Sequence, residues 1–253
     1  MIGDSVRKVE GYVASLEKRI VRPFEEFSNT ENGENWVILF TRDRKDKIKG
    51  TIADIKRLEP NAKLLVVDNG SLDETPALLI QLMKEKVIDK VILNHTSDVP
   101  QWQKCFSIAQ AFKLLSLQSV STLTWLDDDM RIREPWIDFS NRIFSALEQE
   151  NVLLLNLSMD NIQDEIHKTV KIVEVDGRQI KIKESFNGQF VVFRPSLLKV
   201  IGLPPIGEGI TDAGVEDWYY SRLLQANNIF VGAADFSEHT GYKSSIRDRE
   251  TSR

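Results

Sequence analysis

Hydrophobic and polar positions recur along this chain in two rhythms. Over residues 5–27, Val6, Val9, Val13, Leu16, Ile20 and Phe24 fall at three- and four-residue steps, which predicts an amphipathic helix. Ser28-Asn29-Thr30-Glu31-Asn32-Gly33 then reads as a loop. From Trp36 short continuous apolar runs take over: Trp36-Val37-Ile38-Leu39-Phe40, Leu64-Leu65-Val66-Val67, Val91-Ile92-Leu93 and Leu123-Thr124-Trp125-Leu126. Runs of this kind suit strands covered on both faces. Between them Ile48, Ile52 and Ile55 share a helical face. Thr75-Pro76 offers an N-cap and a first-turn proline ahead of Leu78, Leu79, Leu82 and Met83, and residues 101–117 read as a further helix. The order βαβαβαβ predicts a mainly parallel sheet flanked by helices.

The second half is less regular. Residues 136–149 read as a helix, Val152–Leu157 as a strand, and 170–183 as a hairpin about Asp176-Gly177. Gln189–Phe193 and Ile229–Ala233 predict two more strands and 216–226 a last helix. This gives an α/β domain over 35–240, with a helical extension at 1–34 and a polar, mobile tail at 241–253.

Composition adds mainly exclusions. The 253 residues are 42% hydrophobic and 28% charged, with 33 Lys+Arg against 38 Asp+Glu for a net charge of −5. These values suit an ordinary globular protein and speak against nucleic acid as the principal partner. The single cysteine, Cys105, excludes an internal disulfide and a thiolate metal cluster, so a cytoplasmic setting is expected. No apolar run reaches the roughly 20 residues of a bilayer span, and Met1-Ile2-Gly3-Asp4 does not open a signal peptide. A soluble protein, free or peripheral to a membrane, is expected; oligomeric state is not legible.

Ligands of an open parallel sheet bind beyond the carboxyl ends of its strands. Those ends carry Thr41-Arg42-Asp43, Asp68-Asn69-Gly70-Ser71, Asn94-His95 and Asp127-Asp128-Asp129. Three adjacent carboxylates repel one another, and a hard divalent cation relieves that repulsion. In an extended segment Asp127 and Asp129 would face one site while Asp128 points elsewhere. The plain alternative is a solvated acidic turn ahead of the helix near Pro135. Asp68 suits the ring N–H of a nucleobase, and equally a turn carboxylate of no binding role.

These residues also carry a resemblance. Val66-Val67-Asp68-Asn69-Gly70-Ser71-Leu72-Asp73-Glu74-Thr75, Leu126-Asp127-Asp128-Asp129, Phe186–Arg194 with Ile201-Gly202-Leu203, and Val215-Glu216-Asp217 with Arg222-Leu223-Leu224 stand in the order seen in family 2 glycosyltransferases. The stretch 36–240 therefore resembles a nucleotide-diphospho-sugar transferase of the GT-A fold. The resemblance implies a nucleotide-binding half at 35–130 and an acceptor half at 131–240. It implies a UDP-, GDP- or dTDP-type sugar donor, a hydroxyl acceptor such as a saccharide or glycan precursor, and Mn2+ or Mg2+ held by Asp127, Asp129 and His239. Thr41, Arg42, Asp43, Asp68, Asn69, Gly70, Lys104, Asp127 and Asp128 would bind the nucleotide sugar. Gly188, Glu216 and Trp218 would meet the acceptor. Asp217 would be the catalytic base of an inverting, non-processive transfer.

Departures mark where the transfer of roles is weakest. Thr41-Arg42-Asp43-Arg44 lacks the usual asparagine, and Gln103-Lys104-Cys105-Phe106-Ser107 replaces the family's Ala-Arg-Asn-x-Gly helix, with Lys104 keeping a cation there. There is no Gln-x-x-Arg-Trp segment. Lys243 and Arg247 in the tail are candidates to close over the diphosphate. Alternatives are a catalytically inactive nucleotide-sugar or carbohydrate-binding module and a sugar-phosphate nucleotidylyltransferase, although the Gly-rich loop of the latter is absent. A dinucleotide-dependent oxidoreductase would need Gly-x-Gly-x-x-Gly after the first strand, which Thr41-Arg42-Asp43-Arg44 does not supply.

Overall fold

The computed structural model describes residues 24–28, 33–95, 100–115, 119–158, 167–202 and 215–239. In chain order the first half contains β1 (Phe24–Ser28), β2 (Asn35–Thr41), α1 (Lys45–Leu58), β3 (Lys63–Asp68), α2 (Thr75–Lys84), β4 (Lys90–Asn94), α3 (Pro100–Leu114) and β5 (Thr122–Asp127). Then follow β6 (Met130–Ile132), α4 (Ile137–Ala146), β7 (Val152–Asn156), β8 (Thr169–Val175), β9 (Arg178–Lys183) and β10 (Phe190–Phe193). The short helix α5 (Leu198–Ile201), then α6 (Val215–Ala226), β11 (Phe230–Ala233) and β12 (Ser237–His239) complete the series.

Among the described residues one sheet of ten strands runs β1-β4-β3-β2-β5-β10-β7-β11-β9-β8. Its βα-connected centre, β4-β3-β2-β5, is parallel throughout, as the alternation of buried strands and amphipathic helices predicts. Antiparallel partners extend it on both sides: β1 lies on β4, and β10 sits between β5 and β7. Because central strands are covered on both faces, apolar side chains serve two cores. One unites Val37, Leu39 and Val66 with Ile48, Ile52 and Ile55 of α1, Leu79 of α2 and Ile143 of α4. The other unites Trp36, Ile38 and Trp125 with Ile108 and Phe112 of α3 and Tyr220 and Leu224 of α6. No helix among the described residues is long and apolar enough to cross a membrane.

The hairpin turn has the geometry its sequence asks for. Asp176 and Gly177 both have positive φ, 52° and 75°, as a type I′ turn requires. Two expectations need revision. The predicted helix over 5–27 lies outside the described residues as far as position 23, and its last part is the strand β1 instead. The open edge of β4 offers a row of unpaired backbone groups, and pairing to it outweighs the helical spacing that ends at Phe24. Thr75 is the first helical residue rather than the N-cap, which is Glu74; the Thr75 N–H is taken by Asp73 Oδ1 at 2.8 Å. The tail, with Lys243 and Arg247, lies outside the described residues.

Candidate functional site

Strand order reverses between β2 and β5: from β2 the chain steps outward to β3 and β4, while β5 lies on its other side. The register brings Thr41 opposite Asp68 and Phe40 opposite Asp127, so the carboxyl ends of three strands stop at one level. Backbone bonds lock that edge. Asn69 N–H donates to Thr41 O at 2.8 Å and Asp127 N–H to Gln189 O at 2.9 Å.

Three side chains, Lys104, Thr41 and Arg44, hold the three aspartates. Asp127 Oδ1 accepts from Lys104 Nζ at 2.8 Å. Asp128 Oδ2 accepts from Thr41 Oγ1 at 2.5 Å, and Arg44 NH1 stands 3.8 Å from its other oxygen. Asp129 Oδ2 pairs with Arg44 NH1 at 2.9 Å. The strand ends at Asp127 and the next two residues form a turn, so the alternation expected to align Asp127 with Asp129 stops before it reaches Asp129. Burial pushes the Asp128 carboxyl up to about 7, against the opposing pull of the Thr41 hydroxyl and Arg44. Thr51, on the buried face of α1, fixes the turn by donating to Asp128 O at 2.7 Å or Met130 O at 3.1 Å.

Lys104 joins this edge to the second half of the chain. Its Nζ also donates to Gly188 O at 2.8 Å. The N–H of the same Gly188 donates to Asp217 Oδ2 at 3.3 Å, and Trp218 N–H donates to Asp217 Oδ1 at 2.7 Å. Asp127, Lys104, Gly188 and Asp217 thus form one continuous polar line. Packing holds its far end: Tyr220, one helical turn beyond Asp217, stacks on Trp125, with ring centroids 5.9 Å apart. Of the aromatic trio, Tyr220 is core, while Trp218 is 62% exposed beneath the Arg222 guanidinium.

Asp68 is turned into its own loop. Both its oxygens are taken by Ser71, one by the hydroxyl and one by the N–H at 3.0 Å. Gly70, at φ 77°, supplies the left-handed residue that bends the chain back. Burial raises the Asp68 carboxyl to about 6 despite those bonds. The Ser71 hydroxyl also accepts from Asp43 N–H at 2.8 Å, while Asp43 Oδ1 accepts from Leu72 N–H at 2.6 Å. Asp43 itself adopts φ 52°, and Arg42 Nε lies 3.7 Å from it. The loops after β2 and β3 are therefore laced into one unit.

Thr41, Arg42, Asp43, Asp68, Asn69, Gly70, Lys104, Asp127, Asp128, Asp129, Gly188 and Asp217 all lie on these linked segments. The side chains of Glu216 and His239 lie outside the described residues; the His239 backbone pairs with Met130, next to Asp129. Sequence reasoning gave no role to Arg44, Thr51, Ser71, Ser107 or the pair Asn156–Asn187. Ser107 donates to Asn69 Oδ1, and its place three residues after Lys104 on a helix was a usable signal. Asn156 Nδ2 grips Asn187 O at 2.5 Å just ahead of Gly188, which only the fold reveals.

No protein-family model and no curated protein matches the chain. Among solved structures it is similar to the mannosyltransferase PcManGT from Pyrobaculum calidifontis in complex with GDP-Man and Mn2+, with TM-score 0.55 and 15% identity over 97% of this chain and 68% of that one. It is also similar to S. aureus TarS, with TM-score 0.53 and 16% identity over 80% of this chain and 36% of that one. For TarS 1-349 in complex with UDP the TM-score is 0.52 and the identity 17%, over 79% and 60% of the two chains. The chain thus spans about a third to three fifths of the TarS chains. The fold is of the GT-A type.

On this GT-A scaffold the aspartates offer hard oxygen donors, the right chemistry for Mn2+ or Mg2+. Two cations of the protein, Lys104 and Arg44, are already drawn onto them. Among the described residues no group of three His, Cys, Asp or Glu side chains encloses a metal position. Asp127 and Asp129 are thus two carboxylates of suitable donor chemistry at this edge, each already paired with a cation of the protein.

Proposed function

We propose that the chain transfers a sugar from a nucleotide diphosphate to a hydroxyl acceptor, with residues 35–130 holding the donor and 131–240 the acceptor. The observation that carries this reading is the polar line Asp127–Lys104–Gly188–Asp217, which ties the donor edge to a carboxylate on a separate element. Asp217, oriented by the N–H groups of Gly188 and Trp218, accepts the proton of the acceptor hydroxyl as that oxygen attacks the anomeric carbon. One base acting opposite the leaving group gives inversion. Lys104 and Arg44 bring positive charge to the edge where the leaving diphosphate accumulates negative charge. Asp127 and Asp129 would hold a divalent ion, which when bound neutralises that diphosphate further. The laced loops at Asp43 and Asp68 shape the nucleoside pocket, and exposed Trp218 offers a ring face to the acceptor sugar.

Support also comes from the likeness to a mannosyltransferase holding GDP-Man and Mn2+ and to a protein holding UDP. The test is a thermal-shift screen of UDP, GDP and dTDP with and without Mn2+. One diphosphate is expected to raise the melting temperature, and more so with Mn2+. Absence of stabilisation by all three would overturn the proposal. Sugar release or transfer from the selected donor then separates an enzyme from a binding module.

A further inference from the structure

Arg44 is one of the residues at this edge to which the sequence alone assigns no role. It occupies the N-cap position of α1, and its own N–H donates to Thr75 Oγ1 at 3.2 Å, so its backbone is pinned by the first residue of α2. The side chain runs inward, 13% exposed, to place NH1 at 2.9 Å from Asp129 and 3.8 Å from Asp128. NH1 alone carries these contacts, which leaves the other donors of the planar fork available to a second anion. Thr41 already supplies a hydrogen bond to Asp128. Arg44 is thus the cation hydrogen-bonded to Asp129, with Lys47 a second positive charge nearby; Asp129 is one of the two carboxylates assigned above to a divalent ion.

We infer that Arg44 is an exchangeable internal cation: it satisfies Asp129 in the free protein and passes to the diphosphate when a divalent ion takes Asp129. The inference rests on the nucleotide-sugar reading and adds to it a positioning residue and an order of energies. A divalent ion arriving alone must displace a guanidinium from a largely buried carboxylate and meets its repulsion at close range. A nucleoside diphosphate gives that guanidinium a new bidentate partner and screens the two cations from each other. Ion and nucleotide must then favour each other's binding, and the coupling is reciprocal.

The test is Mn2+ binding to the full chain, followed by electron paramagnetic resonance, alone and with the nucleoside diphosphate that gives the largest thermal shift. Parental protein, Arg44→Gln and Arg44→Lys are compared, each checked for a cooperative melt. In Arg44→Gln, Mn2+ alone should bind at least about fivefold tighter than in the parent. The gain in Mn2+ affinity on adding nucleotide should shrink by a similar factor. Arg44→Lys, which keeps a cation for the diphosphate, should retain most of the coupling; this second variant carries the test if Arg44→Gln does not fold, and lost coupling there counts against the role. Equal Mn2+ affinity and equal coupling in all three would overturn the role of Arg44 and leave the site reading intact. No Mn2+ binding by any of them, with or without nucleotide, would overturn that reading itself.

Discussion

Lys104 Nζ stands 2.8 Å from Asp127 Oδ1 and is the link between the end of β5 and the Gly188 peptide that orients Asp217. A half-buried ammonium bonded to a carboxylate and a carbonyl is worth about 1.5–3 kcal/mol in charge-assisted hydrogen bonding. Lys104→Met keeps much of the side chain's length and removes the charge. We expect kcat/KM for the selected donor to fall roughly 10- to 100-fold, with Lys104→Arg recovering part of the loss. Initial-rate kinetics decide it, and an unchanged kcat/KM in Lys104→Met would remove the link from the mechanism.

Asp217→Asn preserves shape and an oxygen to accept from Gly188 or Trp218, but cannot take a proton from the acceptor. The expected outcome is a kcat lower by about 10²–10⁴, with affinity for the nucleoside diphosphate within about twofold of the parent. Kinetics and calorimetric titration measure the two separately. A weakened nucleotide with kcat preserved would move Asp217 from the acceptor side to the donor side.

Which parts were legible in the sequence follows from the range of the forces involved. The parallel centre and its cores were readable because burial on both faces writes continuous apolar runs into β2, β3 and β5. Asp176-Gly177 was readable because the turn needs two positive φ angles. The strand β1 was not, since the partner that makes it a strand is β4, some 65 residues away in sequence. Arg44 and Thr51 escaped for the same reason: their partners, Asp129 and the carbonyls of Asp128 and Met130, lie more than 70 positions away. The aspartate triad was located correctly on its strand end, but its geometry depended on where the strand stops.

The Asp68 carboxyl gives a pH dependence with a definite sign. Burial raises it from 3.8 to about 6, so the native state holds that proton more tightly than the unfolded chain does. Between these values the native state binds more protons, and stability falls as pH rises. The full penalty, about 3 kcal/mol for a shift of this size, stands above pH 6 and vanishes below 3.8. Asp68→Asn cannot titrate. Urea midpoints from pH 4 to 8 should show the parent losing stability relative to Asp68→Asn through that window, whereas a constant difference would mean that Asp68 titrates normally.

Thr51 tests whether the aspartate turn is held from below. Its hydroxyl, 1% exposed on the core face of α1, is the donor within reach of Asp128 O and Met130 O. Thr51→Val fills the same space and withdraws that donor, which leaves buried carbonyl oxygen less satisfied at a cost of about 1–2 kcal/mol. For a chain of this size that corresponds to a melting temperature lower by roughly 2–8 °C. Thr51→Ser keeps the hydroxyl and should lose less. If the turn also sets the aim of Asp129, Thr51→Val must diminish the extra stabilisation that Mn2+ adds to the nucleoside diphosphate, and Thr51→Ser must restore it. Equal melting temperatures for the parent and Thr51→Val would show that the turn holds its shape without the hydroxyl, through the β6–β12 pairing that follows it.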